Sequence, residues 1–527
     1  MRPRSASQVQ FEEMQRRVGR RLGVFGERDG LDEDRDPLAD NQLKPTLQLM
    51  GALFAVSVVM TYGLGTDSKA VNIIAAIVAA GLLWSALTRP PVHVSARIFL
   101  ATALFLEAAT DLPTFWRPPL KFVDMAFYAS LKDFAGVPGL SLPLFFFGAA
   151  GLLYRARKVS RARDPDEVAP PSKAAVRGMV AFLIAVIALE AWGLARGGLV
   201  QQSFFQIIHL VTMPIVGLAF LHAFRGSKDL PAIGTIIVTV AVARSLLCVG
   251  VYFTLARTFH DAEGYFTTTH ADTVLFATAL FILLAYAIEH RSRKVVLRCL
   301  GLALVVLGGV ALNNRRLAFV SLGAAPVMMY LSLKPSPTKR RVTRAAFFGV
   351  ALILAYVILG SQASGDNPLW KPAKLAMSVL DQKDSSSEAR DIENYNLIYT
   401  MSQNPVLGTG FGWEYSEKLK LYDISELFAL YRYIAHNGVL WIWSVGGFLG
   451  FTALWFIYPL SMTFGIRGYR QALTPIERTG ALTSIGIVVA CMAQIWGDQG
   501  WNSYLTLVMF SVGYAIAAQL EAAPLEP

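Results

Sequence analysis

The sequence predicts an all-α fold: a polytopic integral membrane bundle of about 12–14 transmembrane helices with a long loop over a cavity at one end. Hydrophobic residues make up 54% of the chain and charged residues only 16%, whereas soluble domains carry about 25% charged residues. The apolar residues form continuous runs, such as 47–64 and 182–195, near the ~20 residues that span a bilayer. These runs have little amphipathic period, which excludes a soluble helical bundle.

The apolar runs divide the chain into fourteen candidate spans. Residues 1–45 precede them as a polar leader without a cleavable signal, predicted to stay in the cytoplasm, and residues 521–527 follow as a cytoplasmic tail. Each candidate is apolar over most of a spanning length, and the third is the shortest. The spans centre on residues 46–64, 70–87, 96–110, 140–156, 177–195, 203–224, 230–256, 271–289, 295–312, 317–333, 345–360, 437–459, 479–496 and 501–520.

The basic residues predict the orientation of the spans. The net charge is +11, and Lys and Arg concentrate in alternate short loops, as the positive-inside rule expects. No basic and aromatic pattern suited to nucleic acid occurs, so membrane lipids are the expected partners of this charge and nucleic acid is not. Because every second loop is basic, these loops and both termini are predicted to be cytoplasmic. The loops hold Arg89 and Arg97; Arg155, Arg157, Lys158, Arg161 and Arg163; Arg225 and Lys228; Arg291, Arg293 and Lys294; Lys339, Arg340, Arg341 and Arg344; Arg467, Arg470 and Arg478.

Three segments on the predicted outer side are unusual. Residues 112–136 are predicted to form an interfacial helix or a re-entrant hairpin. The hairpin Asn313-Asn314-Arg315-Arg316 places two arginines where the positive-inside bias disfavours them. Residues 361–436 form the longest outer loop, between a first bundle part, 46–360, and the C-terminal helices, 437–520. Chemistry is expected in such a loop over a helix bundle.

The long loop carries an ordered series of motifs. Arg390 precedes a helical stretch, which leads into the turn Asn404-Pro405-Val406-Leu407-Gly408-Thr409-Gly410-Phe411-Gly412. The loop closes on His436-Asn437-Gly438-Val439-Leu440, which opens an apolar span with further glycines. Over about residues 295–460 this layout resembles the O-antigen ligase and polymerase superfamily of bacterial surface-glycan assembly. That family also has a Ser-Arg-like pair at an outer helix end upstream, where this chain has Asn314-Arg315-Arg316.

The residue types suit glycan transfer. Arginine binds phosphate oxygens in a bidentate fork and stabilises a leaving pyrophosphate, so Arg315, Arg316 and Arg390 are the candidate donor-binding residues. A neutral histidine accepts the proton of an acceptor hydroxyl, so His436 is the candidate catalytic base. Direct displacement by that hydroxyl inverts the anomeric centre, and no metal or other cofactor is required where arginines carry the charge. Candidate supporting residues are Asn437, Gly408, Gly410, Gly412 and Arg244.

The resemblance implies the partners and the compartment. The donor would be a polyprenyl-pyrophosphate-linked glycan and the acceptor a carbohydrate or lipid-linked glycan, at the periplasmic face of the bacterial inner membrane. The resemblance does not separate a polymerase from a ligase: our first hypothesis is an O-antigen or exopolysaccharide polymerase, and a ligase to lipid A core is the alternative. A transporter or flippase of lipid-linked sugars is the rival of another class. It would show pseudo-symmetric repeats and broken helices near the midplane, and neither is evident in the sequence. An inactive scaffold is the third possibility.

Several candidates also have a structural interpretation. The glycines of the turn lack the strand and spacing of a dinucleotide fingerprint and are predicted to adopt positive φ. Arg244 lies in mid-span, where it would pair with Glu190 or Glu107 or face the lipid-phosphate cavity.

Other polar residues carry less signal. No His-x-x-x-His or Cys-x-x-Cys set occurs, so no zinc site is predicted. Asp498 and Trp501 are interpreted as an interfacial anchor, with contact to a sugar as the alternative. The histidines His209, His260 and His270 are interpreted as incidental.

Overall fold

The protein is a multi-pass helical membrane protein, which confirms the predicted fold class. The computed structural model describes residues 43–64, 68–107, 119–136, 141–162, 171–258, 267–290, 292–313, 315–363, 370–378, 385–426 and 430–522. Within these ranges the chain is helical and forms no β-strand; Ser130 and Pro143 make an isolated bridge. Eleven helical segments of this part are long and apolar enough to cross a membrane.

We number the helices in chain order. They are α1 Leu43–Val59, α2 Lys69–Thr88, α3 Val92–Leu106, α4 Lys121–Tyr128, α5 Leu131–Ala135, α6 Leu144–Arg161, α7 Lys173–Ala195, α8 Val200–Ala223, α9 Leu230–Thr258, α10 Asp272–Glu289, α11 Arg293–Asn313, α12 Arg316–Ser332, α13 Pro337–Gln362, α14 Lys371–Ser378, α15 Ser385–Gln403, α16 Gly438–Trp455, α17 Ile457–Gln471, α18 Pro475–Gly497 and α19 Tyr504–Ala522.

Each of the fourteen predicted spans coincides with a helix. Two of these helices, α3 and α12, are shorter than a full span, with 15 and 17 residues; α1 also has 17 residues but continues as a π-helix to Leu64. A third, α6, has a strongly basic second half, so its apolar part is short. The predicted outer segment 112–136 contains the short helices α4 and α5, and residues 112–118 lie outside the described ranges. The predicted leader and tail are described only from residue 43 and up to residue 522.

The core lies around α18 and α19. Helix α18 packs against α10, α12, α17 and α19, and α19 also packs against α8. Both helices are buried on nearly all sides, as expected for helices without a polar face. Helix α13 is the opposite case, because none of its apolar window is buried and residues such as Phe347 and Phe348 are exposed. In a membrane this helix faces lipid.

The helices define two ends of the bundle. We call the upper end the one at which α10, α12 and α16 begin and α18 ends. A Cβ on Gly497, the last residue of α18, would lie 2.4 Å from a methyl carbon of Leu317 in α12, so these helix ends are in contact. The opposite, lower end carries the ion pair between Arg478 and Glu289 at 2.6 Å. The segment with α14 and α15 lies between α13 and α16 in the chain, and α15 packs against α16 at the upper end.

Candidate functional site

His436 lies at the upper end, directly before α16. The next residue, Asn437, is the N-cap of that helix, and its side chain accepts a hydrogen bond from the amide of Leu440 at 3.2 Å. Asn437 therefore holds the start of the helix, which is a supporting role through the backbone. The side chain of His436 is 43% exposed, so a ligand can reach the ring.

Glu393 of α15 binds His436 twice. Its carboxylate accepts the backbone amide of His436 at 3.0 Å and lies 3.2 Å from the ring Nδ1. The Glu393 side chain is only 9% exposed. A carboxylate on Nδ1 favours the tautomer in which that nitrogen carries the proton, which leaves Nε2 as the basic atom. Glu393 thus fixes both the position and the tautomer of the candidate base.

Arg390 is brought to this pair by the helix that carries Glu393. The two residues are three positions apart on α15, so their Cβ atoms lie about 5–6 Å apart on one face of the helix. Arg390 is exposed. The geometry of one helix therefore places a predicted donor-binding arginine beside the residue that orients His436.

The other two predicted arginines open α12. Arg315 is the N-cap residue and its carbonyl accepts the amide of Ala318 at 3.2 Å, while Arg316 is the first helical residue. The N-terminus of a 17-residue helix carries a partial positive charge, to which the two guanidinium groups add. Asn314, the preceding member of the predicted motif, lies outside the described residues.

The end of α18 connects these groups. The backbone amide of Gln499 donates to the carbonyl of His436 at 2.9 Å, and the adjacent Asp498 accepts from His270. Burial alone would raise the pKa of Asp498, but His270 and the positive charges of Arg315 and Arg390 hold that pKa below its ordinary value. Two of the predicted arginines, from α12 and α15, therefore act electrostatically on one nearly buried carboxylate, together with His270.

The turn at residues 404–412 requires glycine at three positions. Gly408, Gly410 and Gly412 have φ of 64°, 77° and 84°, which confirms the predicted positive-φ turn. A Cβ on Gly410 would lie 2.3 Å from the Cα of Gly193 in α7, which is a severe clash. The turn is thus packed against the end of α7 by direct backbone contact.

The turn also completes a broken helix. α16 is interrupted at Gly447, where φ is 57° and ψ is −163°. No broken helix was expected from the sequence, and this interruption corrects that expectation. The backbone groups that the break exposes are paired with the turn, through the bonds Thr409 N to Ser444 O (3.1 Å), Gly410 N to Val445 O (2.9 Å), Phe448 N to Pro405 O (2.8 Å) and Leu449 N to Val406 O (3.1 Å).

Gln206 of α8 ties the turn to the histidine segment. Its side-chain oxygen accepts the amide of Gly412 at 2.6 Å, and its nitrogen donates to the carbonyl of Tyr433 at 2.5 Å. The indole of Trp441 donates to the same carbonyl at 2.8 Å. Gln206 is fully buried. The glycine turn and the segment before His436 are therefore held as one unit.

Arg244 has a different partner from those the sequence suggested. Its guanidinium bonds the carboxylate of Asp272 at 2.5 and 2.6 Å and the carbonyl of Phe105 at 2.9 Å. Glu190 instead accepts from Ser203 at 2.7 Å, and Glu107 offers Arg244 its backbone carbonyl. Asp272 is 28 residues from Arg244 in the chain, at the start of α10. Sequence separation of that length does not predict a contact. Arg244 is buried in a structural ion pair.

Four residues of this region were missed or misread. Nothing marked Glu393 except its three-residue spacing from Arg390, which puts both on one helical face. His270 and Asp498 were treated as unrelated, although they form a pair across 228 positions. Trp501 is fully buried against Phe182, so it is neither an interfacial anchor nor a sugar contact. His260 lies outside the described residues.

The fold and this arrangement define a class: a polytopic helical membrane protein with histidine, carboxylates and arginines gathered at one end of the bundle. Residues 301–455 match the family model described as O-antigen ligase. The match includes Arg315, Arg316, Arg390, the glycine turn and His436, and it confirms the resemblance to the O-antigen ligase and polymerase superfamily. It indicates membrane glycan processing of ligase or polymerase type. No curated protein matches the chain significantly.

Proposed function

We propose that this protein transfers a glycan from a polyprenyl-pyrophosphate donor to a carbohydrate acceptor at the periplasmic face of the bacterial inner membrane. The observation that supports this most is the pairing of His436 with Glu393, one helical turn from Arg390. A base with an orienting carboxylate and an adjacent phosphate-binding cation are the two parts that the reaction needs.

The arginines act on the donor. Arg315 and Arg316 at the start of α12, with Arg390 on α15, bind the pyrophosphate oxygens and stabilise the charge that builds on the leaving group. Arginine stays protonated throughout the physiological pH range. The transfer therefore needs no metal to neutralise the pyrophosphate.

His436 acts on the acceptor. Its Nε2 takes the proton of the attacking hydroxyl. The hydroxyl oxygen forms a bond to the anomeric carbon, while the bond between that carbon and the pyrophosphate oxygen breaks. The Glu393 carboxylate stabilises the imidazolium that results. Because the hydroxyl attacks opposite the leaving pyrophosphate, the anomeric configuration inverts.

The acceptor distinguishes two forms of this activity. The polymerase form uses a second lipid-linked repeat and makes O-antigen or exopolysaccharide, which is the form we favour. The ligase form uses lipid A core, and the description of the matching family favours it.

A complementation experiment tests the proposal. A deletion strain would receive the wild type, His436→Ala or Arg390→Ala, with membrane insertion confirmed for each, and its surface glycan would be resolved on a gel. Loss of long glycan with single repeats retained supports the polymerase. Loss of all lipid A-linked glycan with lipid-linked polymer retained supports the ligase.

Matched controls lie at the lower end of the bundle. His290→Ala removes a half-buried histidine that ends α10, and Arg161→Ala removes an exposed arginine at the end of α6. Both variants should make normal glycan. Normal glycan from His436→Ala and Arg390→Ala as well would refute the proposed site and favour the transporter or the scaffold.

A further inference from the structure

His270 and Asp498 form a second histidine–carboxylate pair at the upper end. The ring Nδ1 of His270 contacts the Asp498 carboxylate, and the side chains are 33% and 11% exposed. Gln494 also donates to Asp498 at 3.4 Å. The carboxylate is therefore held in the interior, and the imidazole is the more exposed partner.

The pair lies beside the start of α12. The Thr267 hydroxyl donates to the carbonyl of Leu312 at 3.0 Å, and Asn313 donates to Thr273 at 3.4 Å. The segment that carries His270 is thus hydrogen-bonded on both sides to the last two residues of α11. On the Asp498 side, Gly497 packs on Leu317, two residues after Arg315.

The pair also adjoins the catalytic histidine. Gln499, the residue after Asp498, donates its amide to the carbonyl of His436 and has a left-handed φ of 49°. Such a conformation is unfavourable for a residue other than glycine and recurs at functional sites. Asp498 therefore stands between the candidate base and the candidate phosphate-binding arginines.

A carboxylate in that place opposes the binding of a pyrophosphate. The charges around it keep Asp498 ionised, because its pKa is held below the ordinary value. Its negative charge competes with the donor for Arg315 and Arg390 and repels the phosphates. A protonated His270 neutralises the charge of Asp498 and adds a partly exposed positive charge beside it.

We propose that His270, in its protonated form, is a further ligand of the donor pyrophosphate, with Asp498 holding its ring in place. The inference rests on the proposed function, because the ligand is the donor of that reaction. Nε2–H of the imidazolium donates to a phosphate oxygen. Loss of that proton removes the donor and leaves the charge of Asp498 uncompensated, so donor affinity falls as pH rises.

Other ionisable groups face the pair from each neighbouring element. They are Arg315 at the start of α12, Arg390 on α15, His436 with its partner Glu393 before α16, Asp272 with its partner Arg244 on α10 and α9, and Glu107 after α3. Glu107 is the one to control for. Its carboxyl is buried and lies within electrostatic reach of His270.

The test measures donor affinity against pH. The purified protein in nanodiscs would bind farnesyl-diphosphate-linked N-acetylglucosamine, a probe whose two phosphates are esterified and do not titrate between pH 5.5 and 8. The wild type should bind the probe about 10–100-fold less tightly at pH 8 than at pH 5.5. This is the range expected for the loss of one charged hydrogen bond. His270→Gln should bind weakly at both pH values, and His270→Arg tightly at both.

Glu107→Gln is the matched control and should keep the wild-type pH dependence. Proton uptake on binding near pH 7, measured by calorimetry on the unmodified protein, is the second readout. The inference is wrong if the wild type takes up no proton, if His270→Gln keeps the pH dependence, or if Glu107→Gln loses it. Failure of the wild type to bind the probe at any pH would instead refute the proposed function.

Discussion

At the scale of single residues, the sequence singled out His436 as the candidate base but not the carboxylate that pairs with it. His436 and Arg390 stand in motifs, so they can be recognised one at a time. Glu393 gains its meaning only from the contact between α15 and the start of α16, which joins residues 43 positions apart. Pairs of this kind depend on tertiary packing, to which spacing along the chain gives no guide.

Glu393→Gln should reduce transfer about 100-fold or more. The amide can still accept the His436 backbone amide, but it loses the charge that orients the ring and stabilises the imidazolium, a contribution typical of general-base catalysis. The measurement is kcat and donor KM in a reconstituted transfer assay, with kcat falling and KM nearly unchanged.

Glu388→Gln is the control for that variant. It makes the same change at an exposed position near the start of the same helix and should leave kcat unaltered. Equal activity of the two variants would show that Glu393 only stabilises the loop.

At the scale of elements, the loop and α16 form a single structural unit. The glycine turn was predictable from Asn404-Pro405 and its three glycines, but its purpose was not. The break at Gly447 has no signal beyond a Gly-Gly pair in an apolar run, and its backbone groups bond to residues about 40 positions earlier. Only the folded structure shows that the glycine turn and the break in α16 pair each other's backbone groups.

Gly410→Ala should loosen this unit. Positive φ costs an alanine about 1–2 kcal/mol. Its Cβ would also lie 2.3 Å from the α7 backbone, so the turn would have to move away from α7. We expect a lower Tm in detergent, faster proteolysis within residues 385–426, and loss of transfer.

Gly250→Ala is the matched substitution. This glycine is inside α9 and has open space around it, so alanine should raise helix stability slightly. A Gly410→Ala variant as stable and as protease-resistant as Gly250→Ala would contradict the role assigned to the turn.

At the scale of the whole molecule, the apolar runs predicted most of the helices. All fourteen predicted spans coincide with helices, since an apolar run of spanning length leaves the backbone no alternative to a helix in lipid. Which helices occupy the centre was not predictable. α13 and α19 are both apolar, yet one faces lipid and the other is enclosed by neighbours.

Cysteine labelling should establish the orientation. The native cysteines Cys248, Cys299 and Cys491 are buried, which keeps the background low. A membrane-impermeant maleimide added to spheroplasts should label Lys420→Cys, exposed near the glycine turn, and should label Arg161→Cys at the lower end only after lysis. The reverse pattern would place the site in the cytoplasm and overturn the proposed compartment.

The interruption at Gly447 has a consequence for folding. Backbone amides and carbonyls left open in hydrocarbon cost several kcal/mol each, and four of those around the break are satisfied by residues 405–410. Because the turn and α16 satisfy each other's backbone groups, α16 can complete its hydrogen bonding only where both segments have folded together.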